Sequence, residues 1–224
     1  MINIAENIKL IRQQIPPTVK IVAVSKTRPE ADILVAYNAG QRCFGENRVQ
    51  ELLSKKVNLP GDIEWHLIGH LQSNKVKQVV PFADMIQSVD SLHLLTKINI
   101  ESAKIDRTIN CLLQFHIARE ETKSGLNIEE VVQMVESDQF RSLSNVRVCG
   151  VMGMATFSED MSIIRQEFIY LRKCFNNLKE KYFSGDEYFK EISMGMSGDF
   201  RIAVEEGSTM IRIGTLIFGE RENY

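Results

Sequence analysis

Four cysteines in 224 residues, none in a CxxC pair, leave the chain without a disulfide framework or a dithiol redox motif. Cys43, Cys111 and Cys149 fall in apolar, strand-like runs, where a thiol behaves as a small buried hydrophobe, so a reduced, cytoplasmic protein is expected. There is no basic excess. Lys and Arg number 27 against 29 Asp and Glu, a net charge of −2, and no basic stripe marks a nucleic-acid binder. The short patches Lys55-Lys56 and Lys75/Lys77 are expected on solvated helix faces. No apolar run approaches membrane-spanning length, and the N-terminus lacks a signal-peptide layout. Repeats, low-complexity tracts and linkers are also missing, so one domain over residues 1–224 is expected. Histidine is scarce, and the pair His66 and His70 falls in strand and loop rather than helix, so the i, i+4 metal-ligand geometry is not offered and no metal is expected. No Ser-His-Asp or Cys-His arrangement is readable.

What the chain does have is alternation. Ile4, Ile8, Ile11 and Ile15 recur at helical spacing, which predicts an amphipathic helix over about 3–15, ended by Pro16-Pro17. Beyond it, short apolar runs at 20–25, 42–44, 64–68, 85–89, 110–117, 146–152, 191–194 and 210–213 predict eight strands. Helical patterns lie between them, among them 30–38, 48–56, 91–105, 128–137 and 163–181. Eight strand–helix units predict an α/β fold, a single (β/α)8 TIM barrel, with a doubly wound sheet as the alternative.

In such a barrel the chemistry sits where the strands end. The first strand delivers Lys26, a lysine aimed into the mouth, where desolvation favours the neutral amine that attacks a carbonyl to form a Schiff base. A rim lysine reaching into water is the plainer alternative. Barrels commonly bind phosphate with the loops after strands seven and eight. Here these loops are rich in glycine and hydroxyls: Ser193, Gly195, Ser197 and Gly198 after the seventh, Gly214 and Thr215 after the eighth. Ser197 or Asp199 is expected to cap the helix over 200–206. Arg212 alternates with Ile211 and Ile213 and should point inward, paired with a core carboxylate such as Glu46 or Asp90, or set against a cofactor's ring nitrogen.

Together the runs VAVSKT (22–27), FGEN (44–47), WHLIGHLQSNK (65–75), SVD (88–90), GVMGM (150–154), ISMGMSGDF (192–200) and IRIGTLIFGER (211–221) resemble the pyridoxal 5′-phosphate (PLP) homeostasis protein family, across nearly the whole chain and in order. The resemblance implies a barrel like the N-terminal domain of alanine racemase, with PLP on Lys26. It also implies Asn47 beside the cofactor, Ser197, Gly214 and Thr215 on the phosphate with Ser193 close by, and Arg212 facing the pyridine nitrogen. Arg48 stands where the family often has tyrosine, and 116–125 matches more loosely and is expected to form a mobile loop over the mouth.

The implied function is intracellular PLP binding, storage or delivery by a monomer, with PLP-dependent apoenzymes as possible recipients and little or no turnover. A PLP-dependent amino-acid racemase, with Lys26 catalytic, is the alternative, and a PLP-free Schiff-base aldolase is the third reading. Racemisation needs acid–base groups on both cofactor faces. The five tyrosines (37, 170, 182, 188 and 224) are expected in helices, before strand seven and at the terminus, none at a strand's C-terminal end.

Overall fold

The computed structural model describes residues 3–119 and 124–220. Its strands are β1 (Lys20–Val24), β2 (Cys43–Glu46), β3 (Glu64–Leu67), β4 (Met85–Val89), β5 (Ile109–Phe115), β6 (Val146–Gly153), β7 (Glu191–Ser193) and β8 (Met210–Ile213). Each pairs in parallel with the next, and β8 closes on β1 in the register Ile21↔Ile211 and Val22↔Arg212. Closure removes the doubly wound alternative.

The helices are α1 (Ile4–Arg12), α2 (Glu30–Asn38), α3 (Val49–Asn58), α4 (Val76–Val79), α5 (Leu92–Ala103), α6 (Ile128–Glu136), α7 (Asp138–Arg141), α8 (Met161–Lys181), α9 (Phe200–Glu205) and α10 (Thr215–Phe218). None of the described helices is long and apolar enough to cross a membrane.

Apolar periodicity locates most of these elements within a residue or two, and the exceptions are instructive. β2 runs to Glu46, not to residue 44, and all four of its residues are buried. Gly45 hides the strand from a hydrophobicity reading, yet a Cβ there would meet Val22 Cγ1 at 2.8 Å, so the small residue serves the packing. α4, α7 and α10 each span four residues, too few for a 3.6-residue period to show. α1 ends at Arg12, earlier than expected. It is capped by Asn3, which accepts a hydrogen bond from the Glu6 N–H at 3.0 Å. Its buried Ile4, Ile8 and Ile11 pack the helix against α2 and α10, and the Asn7 side chain donates to the Ile217 carbonyl.

Two apolar layers result. The larger fills the space between strands and helices, with Trp65, Phe168 and Leu171 among its fully buried members. The smaller fills the lumen and consists of Val22, Cys43, Met85, Leu112, Cys149, Met152 and Met210. Five of these seven carry sulfur, where such barrels usually hold branched aliphatics.

Candidate functional site

At the C-terminal end of the strands a cavity of about 340 Å³ is lined by Lys26, Ser197, Gly198, Asp199, Arg212, Gly214 and Thr215 on one wall. Ala155, Phe157, Met161 and Ile164, from the β6–α8 segment, form much of the other. The lysine after β1, the two expected phosphate loops and the inward arginine therefore meet in one place. Ser197 Oγ accepts from the Leu216 N–H at 3.4 Å, which ties the loop after β7 to the one after β8. Gly195 has φ +94°, and a Cβ there would sit 2.5 Å from that of Ala203 in α9, so it is glycine for turn and packing rather than for ligand access. Asp199 occupies the N-cap position of α9 but makes no side-chain cap bond; its Oδ1 accepts instead from the Met196 N–H.

Lys26 is half-buried and sits in a tightly held peptide. Thr27 has φ +64°, a left-handed conformation that costs a β-branched residue about 1–3 kcal/mol. Its N–H donates to Glu51 Oε1. On the other side, Ser25 Oγ donates to Glu46 Oε1 at 2.6 Å, and the Ser25 carbonyl accepts from Lys55 Nζ at 2.8 Å. Lys55 also donates to Glu46 Oε1 at 2.8 Å and to Glu51 Oε1 at 2.7 Å. This corrects the expectation for Lys55: it is 5% exposed, folded under the Lys26 loop, not on a solvated face. Burial holds the Glu46 carboxyl above its ordinary range, a rise that the Lys55 ammonium and the Ser25 hydroxyl offset only in part. Glu46 Oε2 is buried with no partner among the described residues.

Arg212 does point inward and is 4% exposed, but neither Glu46 nor Asp90 pairs with it. Glu46 is held by Lys55, and Asp90 lies 3.3 Å from His70. The guanidinium instead donates to Ser193 Oγ at 2.7 Å and to the Gly153 carbonyl at 2.9 Å. Ser193 donates onward to Gln87 Oε1 at 2.7 Å, and the Gln87 amide lies 2.8 Å from His66 Nδ1. A buried polar column thus runs down the barrel from the cavity. Burial lowers Arg212 to about 10 and His66 to about 3, so the arginine stays charged and the histidine neutral at pH 7.

Two expected site residues lie off the cavity wall. Ser193 is fully buried beneath Arg212, and Asn47 is half-buried after β2, its Oδ1 buried without a partner among the described residues. Sequence reasoning missed Gln87, Glu51 and Lys55. The only readable signal was the i, i+4 spacing of Glu51 and Lys55. Among the described residues, Cys43, Glu64 and His66 bring donor atoms within 4.8 Å of one another at the opposite end of the barrel. There Lys20 holds Glu64 at 3.1 Å and burial raises the Cys43 thiol. None of the four described tyrosines lines the cavity, and Tyr182 ends α8 rather than lying within it; Tyr224 falls outside the described residues. So does part of the loop expected over the mouth, residues 120–123.

A closed parallel barrel with a lysine after β1 and hydroxyl-bearing loops after β7 and β8 defines a class, the barrel of alanine racemase. The family model for the alanine racemase N-terminal domain matches residues 1–222. The structure of alanine racemase from Clostridium difficile 630 in complex with cycloserine superposes with a TM-score of 0.78 over 99% of this chain and 60% of that one; at 13% identity this is a likeness of fold alone. Within the class, the pyridoxal phosphate homeostasis protein of Pasteurella multocida is 38% identical over 209 residues, 91% of this chain and 87% of the relative. PipY of Synechococcus elongatus, whose structure has PLP bound, is 37% identical with a TM-score of 0.87 over 96% of this chain and all of that one. The chain belongs to the pyridoxal phosphate homeostasis protein family.

Proposed function

We propose that this protein binds PLP as a Schiff base on Lys26 and serves intracellular PLP homeostasis, by binding, storage or delivery, with little or no turnover. The observation that carries the reading is the donor set of one cavity: the Lys26 amine, the Ser197 and Thr215 hydroxyls among four that line it, and a buried guanidinium that donates to Ser193 and to the Gly153 carbonyl. PLP needs those groups for its aldehyde, its phosphate and its ring nitrogen. When bound, PLP supplies an electrophilic carbonyl and an electron-withdrawing ring. On the protein side, Lys26 contributes the amine. Ser197, Gly214 and Thr215 hold the phosphate through hydroxyl and backbone N–H groups. Arg212, assigned to the pyridine nitrogen, keeps that nitrogen unprotonated and the ring a weak electron sink. Ser193 acts through Arg212, and Asn47 supplies the amide whose buried oxygen lacks a partner among the described residues.

A carrier is favoured over a racemase because a second acid–base group is not evident: no described tyrosine lines the cavity. The names of the relatives point the same way. A cytoplasmic monomer that exchanges PLP with PLP-dependent apoenzymes, without nucleic acid or membrane, completes the proposal. The test is the visible spectrum of the protein with PLP, before and after borohydride, beside Lys26→Ala. A yellow band fixed by borohydride onto the Lys26 peptide and absent from the variant is expected. A chain that takes up no PLP overturns the reading, and efficient racemase turnover overturns the carrier assignment.

A further inference from the structure

We infer that Glu51 and Lys55 are positioning residues that set the aldehyde reactivity of Lys26 by clamping the two residues beside it. The inference rests on the reading of Lys26 as an aldehyde-binding amine. It starts from the Lys55 ammonium, which has three protons and three acceptors within reach: the Ser25 carbonyl, Glu46 Oε1 and Glu51 Oε1, at 2.8, 2.8 and 2.7 Å. Every donor is used, so the group is fixed in direction. Ser25 is gripped twice, by carbonyl and hydroxyl, and Thr27 is gripped by its N–H on Glu51. Lys26 lies between two held neighbours.

Stability is a poor explanation for this arrangement. A buried ion pair gains little over an apolar replacement, because desolvation offsets the attraction. Thr27 adds a conformation that its side chain disfavours. A strained residue persists where its surroundings over-determine it, and here those surroundings converge on one lysine at the cavity wall. The clamp fixes the starting direction of the Lys26 side chain, so that its amine enters the cavity without a search. In the reaction it serves, the amine nitrogen bonds to the aldehyde carbon, the carbonyl oxygen leaves as water with the two amine protons, and a C=N bond remains. Borohydride then adds hydride to carbon and makes the link permanent.

The experiment measures initial rates of borohydride-trapped labelling of the Lys26 peptide by mass spectrometry, relative to the exposed Lys9 of the same chain. Two probes are used: PLP, and pyridine-4-carboxaldehyde, which keeps ring and aldehyde but lacks the phosphate. Glu51→Ala and Lys55→Met are expected to slow Lys26 labelling at least tenfold with both probes. Glu51→Gln, which keeps an acceptor for Thr27, should stay within about twofold of wild type. Thr27→Gly added to Glu51→Ala should recover at least threefold, because glycine adopts the left-handed conformation unaided. Should Lys55→Met not fold, Glu51→Ala, altered at a side chain 20% exposed, carries the test. Labelling of Glu51→Ala within twofold of wild type, or an equal loss in Glu51→Gln, overturns the clamp. If PLP fails to label wild-type Lys26 while the pyridine aldehyde follows the expected order, the clamp stands and the PLP reading falls.

Discussion

His66 is the residue whose environment makes the sharpest statement about pH. It accepts from Gln87 at the foot of the polar column and is held neutral by burial, at about 3 against an ordinary 6.5. Below pH 6.5 the unfolded chain takes up a proton there and the folded one does not. The stabilisation is therefore complete above pH 6.5 and is lost as pH falls toward 3, by up to about 1.4 kcal/mol per pH unit. Urea unfolding of His66→Gln, which keeps an acceptor for the Gln87 amide, should show a flatter stability profile between pH 6 and 4 than wild type. Equal slopes would mean that His66 does not drive the acid loss. At this scale the sequence was half legible. Lys26 and Arg212 stand out because a charged residue at a strand end or within an apolar strand has few explanations. Lys55 does not, because its neighbours in sequence are those of any exposed helix, and only the approach of Glu46 from β2 turns it inward. Gln87 was invisible for the same reason: its partners lie 21 and 106 residues away.

The elements were more legible, since eight strands and six of the ten helices announce themselves by period. α1 has a use that periodicity alone does not suggest. It packs on α10, which begins at Thr215 on the cavity wall, and Asn7 bonds the carbonyl of Ile217 there. Ile8, on the buried face of α1, is 1% exposed. Ile8→Ala is expected to destabilise the protein by about 2–5 kcal/mol and to speed PLP release several-fold, as read by chemical denaturation and by transfer of PLP to an excess of a scavenging amine. Lost stability with unchanged release would confine α1 to a role in folding. The short α10, whose four residues hold no full period, escaped sequence reasoning although the phosphate loop that starts it did not.

For the whole molecule, ligand linkage gives the expectation. At a hundredfold excess over its dissociation constant, PLP should stabilise the fold by about 2.7 kcal/mol, a rise in Tm of about 5–10 °C for a chain of this size. Lys26→Ala should keep only the part due to the phosphate contacts. Calorimetry that finds no shift in wild type would place PLP outside the native cavity. The closed barrel itself was readable because eight alternations leave few architectures, whereas most of the content of its lumen was not, since apart from Arg212 in β8 the short strands are too uniformly apolar to mark which face turns toward the axis. Beside the polar column, the apolar part of that content is mostly thioether and thiol. Methionine changes rotamer at little cost and fits irregular space. Beneath the cavity, then, the barrel has upholstery rather than masonry: the floor can yield when a cofactor is seated or lifted out, while the wall of strands around it keeps its shape.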